Sequence, residues 1–172
     1  MSGWIKAMNP TAPITTEAEA LKAGRASAVS IFIGAAVGAA SMGWTAMNPQ
    51  VLDSAVARMG ADSADAAAMA ATAGQAALWL GAAMVVIQLV LGWVQWREPR
   101  KVIAIVFLLL LAYGILSTLA APMMAGMVPN MPVIPMWQII LSLVIMVLQT
   151  VLHVAGLRGI KKLDTLQMAA AR

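Results

Sequence analysis

The chain has one histidine, His153, and it lies inside a long uncharged apolar stretch. Three glutamines, Gln88, Gln95 and Gln149, occupy similar stretches. An ionisable side chain in such a setting is costly to bury, which makes it a candidate for function. An imidazole there could hydrogen-bond a quinone carbonyl, relay a proton or ligate a metal. One histidine per chain cannot supply both axial ligands of a haem, although two copies could. The plainer reading is a neutral His153 hydrogen-bonded to Gln95 or Gln149.

A second group of possible ligands is Met123, Met124, Met127 and Met131, with Met136 close behind. Soft thioethers select Cu(I), so a cluster of them could capture copper. The same residues also suit a flexible apolar filling of a proline-broken hairpin. With no cysteine in the chain and no histidine nearby, the filling role is the expected one.

Other chemistries lack their working groups. No Asp or Glu falls within 26–52, 66–96 or 102–157, so a carboxylate relay across the apolar stretches has no members. The absence of cysteine removes paired-thiol exchange. Ala39-Ala40-Ser41-Met42-Gly43 is an imperfect Gly-x-Ser-x-Gly elbow. Ser41 and His153 sit toward opposite ends of their helices, roughly 18 Å apart along the axis, too far for a nucleophile and its base.

The elements that position these residues follow from the charges. The chain is 172 residues long, 62% hydrophobic and 10% charged, and its three charge-free runs are far longer than a soluble core requires. A soluble enzyme, a disulfide-stapled secreted domain and a disordered chain are excluded. Four membrane-spanning helices are expected at 26–47, 74–96, 102–121 and 136–157, each of about 20 residues and long enough for a hydrocarbon core of roughly 30 Å. Prolines 122, 129, 132 and 135 divide the longest run into the last two spans.

Lys6, Lys22, Arg25, Arg97, Arg100, Lys101, Arg158, Lys161, Lys162 and Arg172 fall on one side of these spans, against Arg58 alone on the other. Basic residues are retained on the cytoplasmic side, so both termini are expected there, in a bacterial-type inner membrane. The net charge of +4 then marks topology and contact with anionic lipid rather than nucleic-acid binding. Trp44, Trp79 and Trp137 near the outer ends, and Trp93 and Trp96 at an inner end, fit interfacial anchoring.

Outside the spans, residues 1–25 form a cytoplasmic segment kept extended by Pro10 and Pro13. Thr16 and Glu19 have capping-box spacing, which starts a helix that runs on into the first span. The outer loop 48–73 opens with Asn48 as an expected N-cap and Pro49 at the first helical position. Val51, Leu52, Ala55, Val56 and Met59 then share one face of a short surface helix ending at Gly60. The Ala-rich stretch 63–73 extends the second span outward, and 158–172 forms a cytoplasmic tail. Gly3-Trp4-Ile5-Lys6-Ala7-Met8-Asn9-Pro10 resembles Gly43-Trp44-Thr45-Ala46-Met47-Asn48-Pro49 with one residue inserted; with no longer repeat around them, coincidence is the expected reading and a shared helix ending the alternative.

Every span carries a stripe of small or polar residues. Gly74, Gly81, Gln88 and Gln95 recur every seven residues, the spacing that keeps one seam against a neighbour. Gln138, Ser142, Gln149, His153 and Gly156 share a narrow arc of the last span, and Ser27, Ser30, Gly34, Gly38, Ser41 and Thr45 mark the first. Gly114, Ser117, Thr118 and Ala121 mark the third. Within lipid, close approach at small residues and interhelical hydrogen bonds must hold helices together. The expected fold is an all-α four-helix membrane bundle, with Gln88, Gln95, Gln149 and His153 gathered in its inner half. Gly34-x-x-x-Gly38 is expected to pack within the chain rather than to dimerise it.

The function that follows is non-enzymatic. It is that of an accessory, assembly or interaction subunit working in the bilayer with other membrane proteins or with itself, and it requires no cofactor. The alternatives are a small transporter or Cu(I)-handling protein using the methionine loop, and a quinone- or haem-associated subunit built on His153.

Overall fold

The computed structural model describes residues 3–48, 50, 64–125 and 134–171. They form five helices and, among the described residues, no strand. These are α1 (Gly3–Met8), α2 (Glu17–Met47), α3 (Ala64–Arg97), α4 (Lys101–Ala125) and α5 (Met136–Ala170). The four longer helices are each long and apolar enough to cross a membrane.

Helix ends follow local chemistry. Thr16 caps α2 as its spacing predicts: its hydroxyl accepts from the Glu19 backbone N–H, and the Glu19 carboxylate reaches back to the Thr16 N–H. Such a box satisfies two otherwise orphaned donors and contributes roughly 1 kcal/mol. The helix then continues without a break through residue 26 to Met47. Both Met-Asn-Pro segments end a helix, α1 at Met8 and α2 at Met47. A residue that precedes proline is disfavoured in the helical region, so Asn9 and Asn48 stop their helices.

Two expectations change. The first residues are not extended throughout, because α1 forms before Pro10. Asn48 closes α2, and its side-chain amide donates to the Trp44 carbonyl at 2.8 Å; Gln50, two residues on, is helical again, and the rest of the helix expected after Asn48 lies outside the described residues. The third span does not stop at Ala121, since α4 runs through Pro122 to Ala125. A proline in the last turn removes only one helical hydrogen bond, and the helix ends soon after. The expected surface helix at 51–60, with Arg58, lies outside the described residues, as do Met127 and Met131.

Packing is uneven. About a third of the apolar stretch of α2 and of α5 is buried inside the protein, against 6% for α3 and α4. The α2–α5 pair is therefore the centre, with α3 laid on α2 and α4 on α5. Two glycines explain how close that central pair comes. A Cβ at Gly159 would fall 2.3 Å from the Gly24 nitrogen, and one at Gly156 would fall 2.6 Å from the Ser27 Cβ. Only hydrogen fits at either place, so the backbones touch.

Burial is concentrated at the end of the molecule that holds both termini and the 98–100 turn, here called the polar end. Ala20, Ala23, Ala26, Ala28, Ile31 and Ala35 of α2 are buried, with Leu152, Ala155 and Ile160 of α5. Toward the far end α2 and α3 border an open apolar groove of about 670 Å³, lined by residues including Met42, Gly43, Leu78, Trp79 and Val85.

Candidate functional site

The polar side chains of the central pair meet one helical turn at a time. Nearest the polar end, Ser27 Oγ and His153 Nδ1 share a hydrogen bond of 2.7 Å. The His153 ring also stacks on Phe107 of α4, with centroids 5.7 Å apart and planes 17° from parallel. Only 1% of His153 is exposed, so hydroxyl and ring close over it from two helices. One turn further on, Ser30 Oγ donates to the Gln149 carbonyl and Gln149 Nε2 donates to the Ser30 carbonyl, both at 3.1 Å. This reciprocal pair ties each backbone to the other helix's side chain.

Gly34 completes the ladder. A Cβ there would lie 2.9 Å from Gln149 Nε2 and 3.5 Å from Gln88 Oε1, so the missing side chain leaves room for two amides from α5 and α3. Gln88 Oε1 is buried and makes no hydrogen bond. Gly38 faces Val85, and Gly81 faces Met42. The seven-residue seam of α3 thus lies against α2, and Gly34-x-x-x-Gly38 packs within the chain.

The expected four-member cluster is divided. Gln149 and Gln88 meet beside Gly34, and His153 sits a turn away. Gln95 does a different job: it is fully buried, and its Oε1 accepts the Arg100 backbone N–H at 2.9 Å. It fastens the turn between α3 and α4, while its Nε2 is buried without a partner. The partner of His153 is Ser27 and neither Gln95 nor Gln149. Gln95 Oε1 is committed to the Arg100 N–H and Gln149 Nε2 to the Ser30 carbonyl, so each amide is turned to another partner. The outer members of the last-span stripe, Gln138 and Ser142, are exposed.

Three participants were not anticipated as such. Ser27 and Ser30 stand three residues apart on one helical face with Gly34, and that signal was readable as a hydrogen-bonding edge. Phe107 carries no comparable signal, since one aromatic among the leucines of α4 has nothing to distinguish it.

At the polar end, Trp96 is half-buried and held by its neighbours. It stacks on Trp4 at 5.6 Å, its carbonyl accepts from Arg25 Nε at 3.0 Å, and the Arg25 guanidinium lies 5.4 Å from its ring centre. Trp44, Trp79, Trp93 and Trp137 are exposed, as anchors would be. Lys6 binds Glu19, and together with Thr15 it holds the Glu19 carboxyl down to about 2. Met123 and Met124 are exposed on the last turns of α4, and Met136 is exposed at the start of α5. Among the described residues no three of His, Cys, Asp and Glu come together.

These features define an all-helical chain with four helices fit to cross a membrane, compatible with a multi-pass membrane protein. Compared with known proteins, the chain matches no family model, no curated protein and no solved structure.

Proposed function

We propose that the protein is a multi-pass protein of a bacterial-type inner membrane, with both termini cytoplasmic, acting non-enzymatically as an accessory or interaction subunit. The four crossings form one bundle around α2 and α5. Partner membrane proteins, or further copies of the chain, lie against its outer helices.

One observation carries this reading. The polar residues of the central pair are spent on one another, while α3 and α4 offer nearly all their apolar surface to the surroundings. His153, the strongest candidate for chemistry, is covered by Ser27 and Phe107 and is almost wholly buried rather than facing an opening. On α4, Val102, Val106, Leu109, Tyr113 and Leu116 are exposed at alternating steps of four and three residues. That spacing keeps a continuous edge available to a neighbouring helix over several turns. The basic residues at the polar end support the cytoplasmic placement.

Photo-crosslinking from Leu109, Tyr113 and Leu116 in native membranes, followed by mass analysis of the adducts, tests the reading. Discrete protein adducts are expected. Adducts to lipid alone at all three positions would refute it. So would stoichiometric copper lost on changing Met127 and Met131 together, or a haem or quinone lost with His153→Ala. Because the chain has no cysteine, single cysteines at residues 12, 58 and 130 report sidedness without background.

A further inference from the structure

Helix α5 continues well past the length needed to cross a bilayer. From Met136 to Arg158 is about 33 Å at helical rise, which brings Arg158 level with the lipid phosphates if Met136 begins at the opposite boundary. Beyond it, Arg158, Lys161, Lys162 and Thr165 stand at steps of three, one and three residues, on one face of the emerging helix. With Ile14 from the segment between α1 and α2, they line an open pocket of about 460 Å³. The Arg158 guanidinium lies 3.5 Å from the Ala12 carbonyl, which holds the pocket's two walls together.

Two of the neighbouring acids are paired with other cations, and the third, Glu17, meets a neutral amide. Asp164 pairs with Lys101, Glu19 with Lys6, and Glu17 accepts from Gln167. Among the described residues Arg158, Lys161 and Lys162 form no salt bridge. Three cations therefore share a small volume, beside one hydroxyl and one apolar side chain, at the depth where phosphodiesters lie.

We propose that this pocket binds the headgroup of an anionic phospholipid. The phosphate sits among Arg158, Lys161 and Lys162, the Thr165 hydroxyl, whose own proton goes to the Lys161 carbonyl, accepts from a headgroup hydroxyl, and Ile14 packs against the start of the acyl region. A guanidinium and two ammonium groups suit phosphate oxygens. A zwitterionic headgroup would bring its own ammonium into the same three cations and is disfavoured. The proposal rests on α5 crossing the bilayer, which the cysteine labelling above tests separately.

Full-length protein in neutral detergent, titrated with phosphatidylglycerol or phosphatidylcholine and read by native mass spectrometry, decides the matter. Retention of phosphatidylglycerol at least tenfold above phosphatidylcholine is expected. Near a membrane surface each basic residue is worth about a factor of five, so Arg158→Gln with Lys161→Gln lowers retention roughly thirtyfold. Lys22→Gln with Arg97→Gln removes the same charge elsewhere at the polar end and leaves retention within about threefold. Arg158→Lys with Lys161→Arg keeps it. Equal retention of the two lipids would overturn the proposal, as would an equal loss in the Lys22 and Arg97 variant. Displacement of bound lipid by millimolar inorganic phosphate would overturn it too, by showing a site for soluble anions.

Discussion

Replacing Gly159 by alanine probes the closest approach in the molecule. The added Cβ would fall 2.3 Å from the Gly24 nitrogen and 2.6 Å from the Ala23 carbonyl carbon, both backbone atoms that cannot swing aside. Ordinary contact begins near 3.4 Å, so α2 and α5 must part by about 1 Å. A shift of that size breaks the Ser27–His153 bond of 2.7 Å and both 3.1 Å bonds of the Ser30–Gln149 pair. Interhelical hydrogen bonds in membranes are worth about 0.6 kcal/mol each, and overpacking costs about 1–3 kcal/mol. The expected loss is therefore about 3–5 kcal/mol. Gly43→Ala is the internal control, because nothing lies within 4 Å of a Cβ at that position of the same helix pair's outer reach. Both variants should be unfolded in mixed micelles with increasing dodecyl sulfate, following tryptophan emission. Gly159→Ala as stable as the parent chain, or Gly43→Ala equally damaged, would refute the backbone contact.

A double-mutant cycle of Ser27→Ala and His153→Ala should show a coupling of about 0.6 kcal/mol, rising to about 1.7 if the bond is well sheltered; additive losses would mean the two do not interact. Gln88→Met removes a buried oxygen that has no partner and keeps the side chain's length, so stability should hold or rise by about 1 kcal/mol. A loss above that would reveal a partner for the amide. Glu19 is more acidic in the folded protein than an ordinary carboxyl near 4.5, so its contribution to docking α1 is complete above that value. The contribution fades as the pH falls from there toward about 2. The fluorescence difference between the parent chain and Trp4→Phe should follow that window, and Glu19→Gln should remove the dependence.

Much of this architecture is legible in the residues. Charge-free runs mark the four long helices because lipid admits little else, and the Thr16–Glu19 spacing marks where α2 begins. The heptad of Gly81, Gln88 and Gln95 identifies the face of α3 that meets α2, since only that face can approach closely. What is not legible is how two such faces are rotated and set in depth against each other. His153 had polar candidates on three helices, and a few degrees of rotation decide between Ser27 and a glutamine. Gln95 belongs to the same stripe as Gln88, yet its position one residue before the end of the charge-free run puts it beside the turn, where a free backbone N–H outcompetes a distant side chain. The concentration of burial at the polar end depends on the angle between α2 and α5, which no periodicity in either helix encodes.

The pairing of α2 with α5 also sets the order in which the protein can be completed. Ser27 waits for a partner 126 residues further along the chain. At the usual synthesis rate of about 5–20 residues per second, that interval is roughly 6 to 25 s. Throughout it, the hydroxyls of Ser27 and Ser30 lack their α5 partners, while α3 is the intervening helix that packs on α2. Of the central pair, the helix made first is thus the last to be satisfied.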